Sequence, residues 1–392
     1  MATMAKLRAY RGPALFSFGF RPFFLFGAIH AGVMIPLWLA VFAGEISLPT
    51  AFAPRDWHVH EMLFGYVAAV IAGFLLTAVP NWTGRLPIQG KPLTVLFSTW
   101  LAGRLAVSLS AEIGWAEAMM LDSLFLLLLA AAAAREIVAG RKWGNLKVVG
   151  IVSLLAIVNV AFHVEAHLNG LAEYSTRAGI ALVVTLVGVI GGRIVPSFTR
   201  NWLARQSPGR MPIPFGRFDA VAMAAGVFAL LIWITAPRGG LAAAALCFAG
   251  LLHLARLSRW AGERTFPDRL VLILHVAYAF LPVGYFLTAL SALDLTAPGA
   301  GVHAWTGGAI GTMTIAVMTR ASLGHTGQAL AASPTTQVLY LAVVTAALAR
   351  ICAALEPAHA DILLPVAGVA WTVAFLGFAL VYAPLLCRPR KD

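Results

Sequence analysis

An all-α, polytopic membrane protein with about 12 transmembrane helices is the fold class this sequence predicts, and three observations carry it. The 392 residues are 60% hydrophobic and only 11% charged, with a mean hydropathy of +0.85. Apolar runs of about 20 residues recur along the whole chain, the length that crosses a hydrocarbon core of roughly 30 Å. Lys and Arg crowd into alternate connections between those runs. A length that would otherwise suggest two or three soluble domains is therefore read as a single integral membrane domain over residues 1–392.

Taken in order, the first span covers 21–43; it is too long for a cleaved signal peptide and has no small-residue cleavage site before Glu45. The second, 57–79, begins within the polar stretch DWHVHEMLFGY. Spans at 92–110, 114–135, 146–168, 174–195, 216–236, 239–258, 268–291, 301–321, 335–355 and 361–386 follow. Each must be helical, because lipid offers no partner to an open backbone amide or carbonyl. The even-numbered connections and both tails hold Lys6, Arg8, Arg11, Arg85, Lys91, Arg141, Lys142, Lys147, Arg200, Arg205, Arg210, Arg217, Arg256, Arg259, Arg264, Arg388, Arg390 and Lys391. The odd ones hold few, Arg55 and Arg238 being the clear cases. This bias puts both termini in the cytoplasm and agrees with an even number of spans. The formal charge of +12 then reads as orientation on an anionic inner leaflet of the lipid bilayer, and no nucleic acid partner is implied. Cys247, Cys352 and Cys387 are scattered and form no C-x-x-C, so neither a thiolate metal cage nor a covalent haem attachment is offered.

Helix 2 ends in AVPNWTGR and helix 6 in RIVPSFTRN, with Pro80 and Pro196, like Thr83 and Thr199, 116 residues apart. Helix 10 ends in IAVMTRASLG, where Thr319–Arg320 follows Thr199–Arg200 by 120 residues and Ala316 replaces the proline. Helices 2, 6 and 10 thus look equivalent, which predicts three pseudo-symmetric four-helix units over about 14–136, 137–256 and 257–386. Recurrence of Thr-Arg at a membrane boundary without any repeat is the alternative. Three such units resemble the core subunit of the haem-copper oxidases, whose helices 2, 6 and 10 carry metal-ligating histidines; the likeness is architectural and settles no function.

Five of the ten histidines gather at the expected outer helix ends: His58 and His60 on helix 2, His163 and His167 on helix 5, and His303 on helix 10. Neutral imidazole is the commonest metal ligand, and ionisable groups within a membrane usually face a bundle interior. His58 and His60 are two residues apart, about 200° around a helix, so they cannot serve one face of a cofactor. One is a candidate haem ligand and the other borders a second metal, with Glu61 placed to orient either. Asp56, His58, His60 and Glu61 together exceed what capping a helix requires. His163 and His167 share a face at i, i+4 and are candidates to chelate one ion, unless both rings are simply solvated at a helix end. His303 opens the small-residue run HAWTGGAIGTMT and is the candidate partner of helix 2 in holding a haem. It stands 16 residues before Thr319, whereas His60 stands 23 before Thr83, a mismatch of about 10 Å. His275, with His253 as its neighbour, is either a further ligand or a packing histidine. Arg104 and Arg193 are candidates to pair carboxylates or haem propionates. His359 falls in an outer loop, His325 just past helix 10, and His30 near mid-membrane.

The blocks FSFGFRPFFLFGA (16–28), HVHEMLFGY (58–66), AGFLLTAVPNWTG (72–84), LHVAYAFLPVG (274–284) and GAIGTMTIAVMTRASLGHTG (308–327) closely resemble the NnrS family, nearly from end to end. That resemblance implies a bacterial inner-membrane protein containing haem (non-covalent, b-type) and copper, tied to the response to nitric oxide and nitrosative stress and often to denitrification. Two functions then compete. One is a metalloprotein that binds or reduces nitric oxide or a related diatomic, with electrons from a separate donor. The other is a transporter or ligand-binding sensor whose polar residues line a solute path. The dense outer histidines, and a threefold four-helix repeat that matches poorly the twofold repeats usual in such carriers, favour the first.

Overall fold

The computed structural model describes residues 10–389. Lys6, Arg8, Arg390 and Lys391, part of the charge bias noted above, lie outside the described residues. Among the described residues the chain is helical without a strand, and twelve long helices follow one another. These are α1 (Phe20–Phe42), α2 (Pro54–Thr83), α3 (Lys91–Ser108), α4 (Trp115–Ala139), α5 (Leu146–Asn169), α6 (Tyr174–Leu203), α7 (Arg217–Thr235), α8 (Gly240–Ser258), α9 (Arg269–Ala292), α10 (298–325), α11 (Pro334–Leu355) and α12 (Ala360–Cys387). Ten of them are long and apolar enough to cross a membrane. The two that fall short are α3, diluted by Lys91 and Arg104, and α10, diluted by its Gly and Thr residues. The chain is thus a multi-pass helical membrane protein.

Local chemistry sets the ends. Proline stands in the first turn of α2, α3, α10 and α11, where a missing amide costs nothing. Asp268 caps α9 by accepting from the amides of Leu270 and Val271, and Ser333 caps α11 at Thr336. Gly84 closes α2 in the left-handed region, at φ 72°. Proline does not end the two helices where it recurs. α2 runs through Pro80 to Thr83, and α6 runs through Pro196 to Leu203, eight residues past its expected end at 195. The threonines of the repeated signature share one local bond: Thr83, Thr199 and Thr319 each donate to the carbonyl four residues back, on Val79, Val195 and Ile315. Both α2 and α10 contain a π-helical segment, Glu61–Val67 and Ala304–Gly311, each directly after a histidine.

Contacts divide the chain into two compact units. Unit 1 contains the chain up to Gly179, with Ala321–Gln328 and the segment from Phe375; unit 2 contains Ile180–Arg320 and Ala329–Ala374. In unit 1 the most apolar stretch of α2 is 83% buried, against 39% for α1 and 44% for α4 and α5, so α2 is the interior helix. The outward faces of the others carry exposed apolar side chains such as Leu105, Met120, Leu127 and Ile157, as lipid contact requires. Arg85 joins the end of α2 to Glu136 on α4 at 2.6 Å. In unit 2 the connections are pinned by Arg210, whose guanidinium grips Glu263 at 2.8 and 2.5 Å and holds that carboxyl below its ordinary range.

Candidate metal centre

The side chains with chemistry in unit 1 come from five helices and meet near the end that carries the α1–α2, α3–α4 and α5–α6 connections. α2 supplies His60 and Glu61 at the junction between its first α-helical turns and the π-helical segment. A π turn inserts one extra residue, which re-aims successive side chains and is common at functional sites. At this junction His60 points toward α4 and α5, and Glu61 toward α1 and α3. α3 contributes Arg104, α4 Asp122, α5 Asn159 and His163, and α1 His30. All but His30 are at most 5% exposed.

Asp122 is the hub. Its Oδ2 lies 3.1 Å from His60 Nε2 and 3.2 Å from His163 Nε2, and accepts from Asn159 Nδ2 at 2.7 Å. Its Oδ1 accepts from Arg104 Nη2. Arg104 Nη1 donates to Glu61 Oε1 at 2.6 Å, so one guanidinium spans two carboxylates in the fork geometry that arginine favours. Glu61 Oε2 is 3.0 Å from His30 Nε2, out of line for a hydrogen bond. The ring of His60 is walled by Phe52, Phe64 and Phe162, with centroids 5.0, 5.1 and 5.4 Å away.

Two arguments show what this arrangement can hold. His60, Asp122 and His163 each offer a ligand atom, and these lie within 4.8 Å of one another. Metal–ligand bonds of 2.0–2.1 Å in a tetrahedral site leave neighbouring ligands about 3.3 Å apart, close to the spacings seen here. The second argument is charge: Glu61 and Asp122 against Arg104 leave one negative charge in a buried site, which a cation or a proton on an imidazole must offset. Imidazole suits zinc, copper, iron and nickel alike, so two histidines and a carboxylate fit a first-row transition metal, copper among them.

The remaining candidates divide by environment. His58, turned away from His60 by the helix, stacks on Trp38 of α1 at 4.7 Å. His163 points inward, whereas His167 lies exposed and stacks on Trp115 at 4.1 Å; the structure does not bring the two to one point. Their neighbour Glu165 accepts from the amides of Glu173, Tyr174 and Ser175 and caps α6. Asp56 is also structural, accepting from the amide of Ala172 at 2.7 Å. In unit 2, His303 has Nδ1 2.7 Å from the carbonyl of Gly299. That bond puts the proton on Nδ1 and leaves Nε2 as the basic nitrogen, the usual setting of a metal-bound histidine. One turn to either side, a Cβ at Gly299 or Gly307 would meet nothing nearer than 3.7 and 3.8 Å, those neighbours being Ala354 and Ala347 of α11. Arg350 shares the α11 face of those two alanines. His275 donates Nε2–H to Thr199 Oγ1 at 2.8 Å, since Thr199 spends its own proton on Val195. His253 bonds Tyr278 at 2.9 Å. Arg193 and His359 are exposed, and His325 lies against Phe18 and Phe20.

Sequence reasoning overlooked Asp122 and Asn159. The signal was there: Asp122 is a carboxylate well inside a largely apolar span, and Asn159 stands four before His163, on the same helix face. Helical membrane proteins with two buried imidazoles and a carboxylate around one point form the class that this fold and this site define. Within that class the chain belongs to the NnrS family, whose model, described as NnrS protein, matches residues 14–390. No curated protein matches the chain.

Proposed function

We propose that this chain is a haem- and copper-containing protein of the bacterial inner membrane that binds nitric oxide or a related diatomic in the nitrosative stress response. The observation that carries the reading is the convergence of His60, His163 and Asp122 in a buried, phenylalanine-walled site; membership of the NnrS family supports it. In this reading His60 Nε2, His163 Nε2 and Asp122 Oδ2 hold copper. Asn159 and Arg104 fix the carboxylate from either side, and Glu61 keeps Arg104 in place. Phe52, Phe64 and Phe162 exclude water, which strengthens every charge interaction inside. His303 holds the haem, and Arg350, on the α11 face that carries Ala347 and Ala354, is the candidate to meet a propionate. When bound, the two groups supply one-electron chemistry and an open position for a diatomic. Electrons come from a separate donor, both termini face the cytoplasm, and α2, α6 and α10 are counterparts in three four-helix units, the last two points resting on the charge bias and the recurring threonines.

The test is metal and haem quantification on protein purified with its cofactors retained. The reading expects copper and a Soret band in the parent chain. His60→Ala and His163→Ala should lower copper while haem persists, and His303→Ala should do the reverse. Parent protein that folds and holds neither group would reject the reading in favour of a transporter or sensor.

A further inference from the structure

Six buried rings in unit 2 touch in a line. Trp260, in the turn after α8, packs edge-on against Tyr278 with centroids 4.6 Å apart. Tyr278 reaches His253 through a hydrogen bond of 2.9 Å. His253 stacks on Tyr285 at 5.3 Å and 14°, Tyr285 meets Trp305 at 5.1 Å, and Trp305 meets Trp233 at 5.2 Å. None is more than 6% exposed. Trp260 lies at the end of unit 2 that carries the α8–α9 connection; Trp233, two residues before α7 ends, lies at the opposite end. The row passes the middle of α9, which contributes Tyr278 and Tyr285, seven residues or about 10 Å apart along the helix.

Packing alone would be served by phenylalanine, so the hydroxyl of Tyr278 is informative. Arg256 Nη1 donates to Tyr278 Oη at 2.9 Å, and a guanidinium cannot accept. The phenol's own proton must therefore point to His253 Nδ1, which accepts it. Arg256 is fixed in turn by Asp219 Oδ1 and the carbonyl of Gly188, each at 2.9 Å, and Asp219 offsets its charge. A buried phenol that lost an electron and kept its proton would become an uncompensated cation in a low dielectric. With an imidazole lone pair in line, the proton has a place to go one hydrogen bond away.

We propose that this row is a path for single electrons through unit 2, with Tyr278 and His253 as its proton-coupled station. The proposal goes beyond the metal sites and does not depend on them. In the oxidising direction, a one-electron-oxidised transition-metal complex at one end takes an electron from the row. The O–H bond of Tyr278 breaks and an N–H bond forms at His253 Nδ1, leaving a neutral tyrosyl radical and an imidazolium. An electron arriving from the other end restores the phenolate, which recovers the proton from His253.

The path can be tested with a ruthenium polypyridyl photo-oxidant tethered to exposed Cys247, in the half of α8 nearer the Trp233 end, with Cys352→Ser and Cys387→Ser removing the other thiols. Flash oxidation with persulfate as the electron acceptor, followed by freezing and electron paramagnetic resonance, should give a tyrosyl spectrum. That spectrum should be lost in Tyr278→Phe and in His253→Gln, and should form more slowly in Trp305→Phe. In the otherwise unaltered protein its formation should slow in D2O, which decides the matter should the variants not fold. A tyrosyl signal unchanged in Tyr278→Phe, a rate indifferent to D2O, or oxidation confined to exposed side chains would overturn the proposal.

Discussion

Asp122 Oδ2 on α4 and His163 Nε2 on α5 lie 3.2 Å apart, and the same oxygen faces His60 and Asn159. One carboxylate oxygen therefore gathers side chains from two other helices, α2 and α5, while the other is committed to Arg104. The carboxylate both fixes Arg104 and points at the imidazoles, so changing its chemistry should separate those roles. Asp122→Asn keeps the shape but replaces one oxygen with an amide group that donates to, rather than accepts from, its neighbours. The variant is expected to insert in the membrane and to retain little copper, measured by mass spectrometry of metal per chain. Full copper occupancy in Asp122→Asn would place the ion elsewhere.

The two histidines of α5 make a controlled pair, being four residues apart on one helix and different in surroundings. His163→Ala should lower copper content. His167→Ala removes an exposed ring stacked on Trp115 and should leave copper and haem at parental levels. Equal losses in both variants would mean that the helix face, and not the inward position of His163, defines the site.

Much of the fold was legible because lipid makes hydropathy a strong signal, and α1, α5 and α9 fall within one residue of the expected spans at each end. α6 was drawn too short because Pro196 reads as a stop, whereas the helix continues past it to Leu203. The site was only half legible. Periodicity separates His58 from His60, since a helix turns alternate residues apart. It cannot separate His163 from His167, because both sit on one face and only the position of Phe52, Asp122 and Trp115 decides which is enclosed. Asp122 is 62 residues from His60 and 41 from His163, with no local spacing rule to join them. The π-helical segment after His60, which begins with Glu61, has no signature in residue type.

Arg104 is the one guanidinium paired with both buried carboxylates, so removing its charge should cost more than an ordinary surface pair. Arg104→Met fills similar volume but leaves Glu61 and Asp122 buried without a cation. Breaking a buried pair in this way typically costs about 3–5 kcal/mol. Thermal unfolding in detergent should show a large loss for Arg104→Met, and the double variant Arg104→Met with Glu61→Gln should recover part of it. A double variant no more stable than the single one would mean that Glu61 gains nothing from the guanidinium.

Glycine at position 65 is required by the same network. The residue lies within the π-helical segment of α2, and a Cβ there would stand 2.7 Å from His30 Nε2 and 2.9 Å from Arg104 Nη1. The helix also offers its Gly65 carbonyl to Trp100 Nε1 at 3.0 Å, which holds α3 close. Neither neighbour can give way freely, since Arg104 is tied to two carboxylates and His30 faces Glu61. Overpacking of this kind costs about 1–3 kcal/mol, and here the strain falls on the ion pairs as well. Gly65→Ala is therefore expected to lower thermal stability and to loosen copper binding together. Gly150, on α5, provides the contrast: a Cβ there meets nothing within 4 Å. In an unobstructed helix the change from glycine to alanine is favourable by roughly 0.5–1 kcal/mol, so Gly150→Ala should match or exceed the parent in the same melt. A Gly65→Ala variant as stable and as copper-loaded as Gly150→Ala would show that Arg104 and His30 have room to move, and that the close approach of α3 to α2 does not set the geometry of the site.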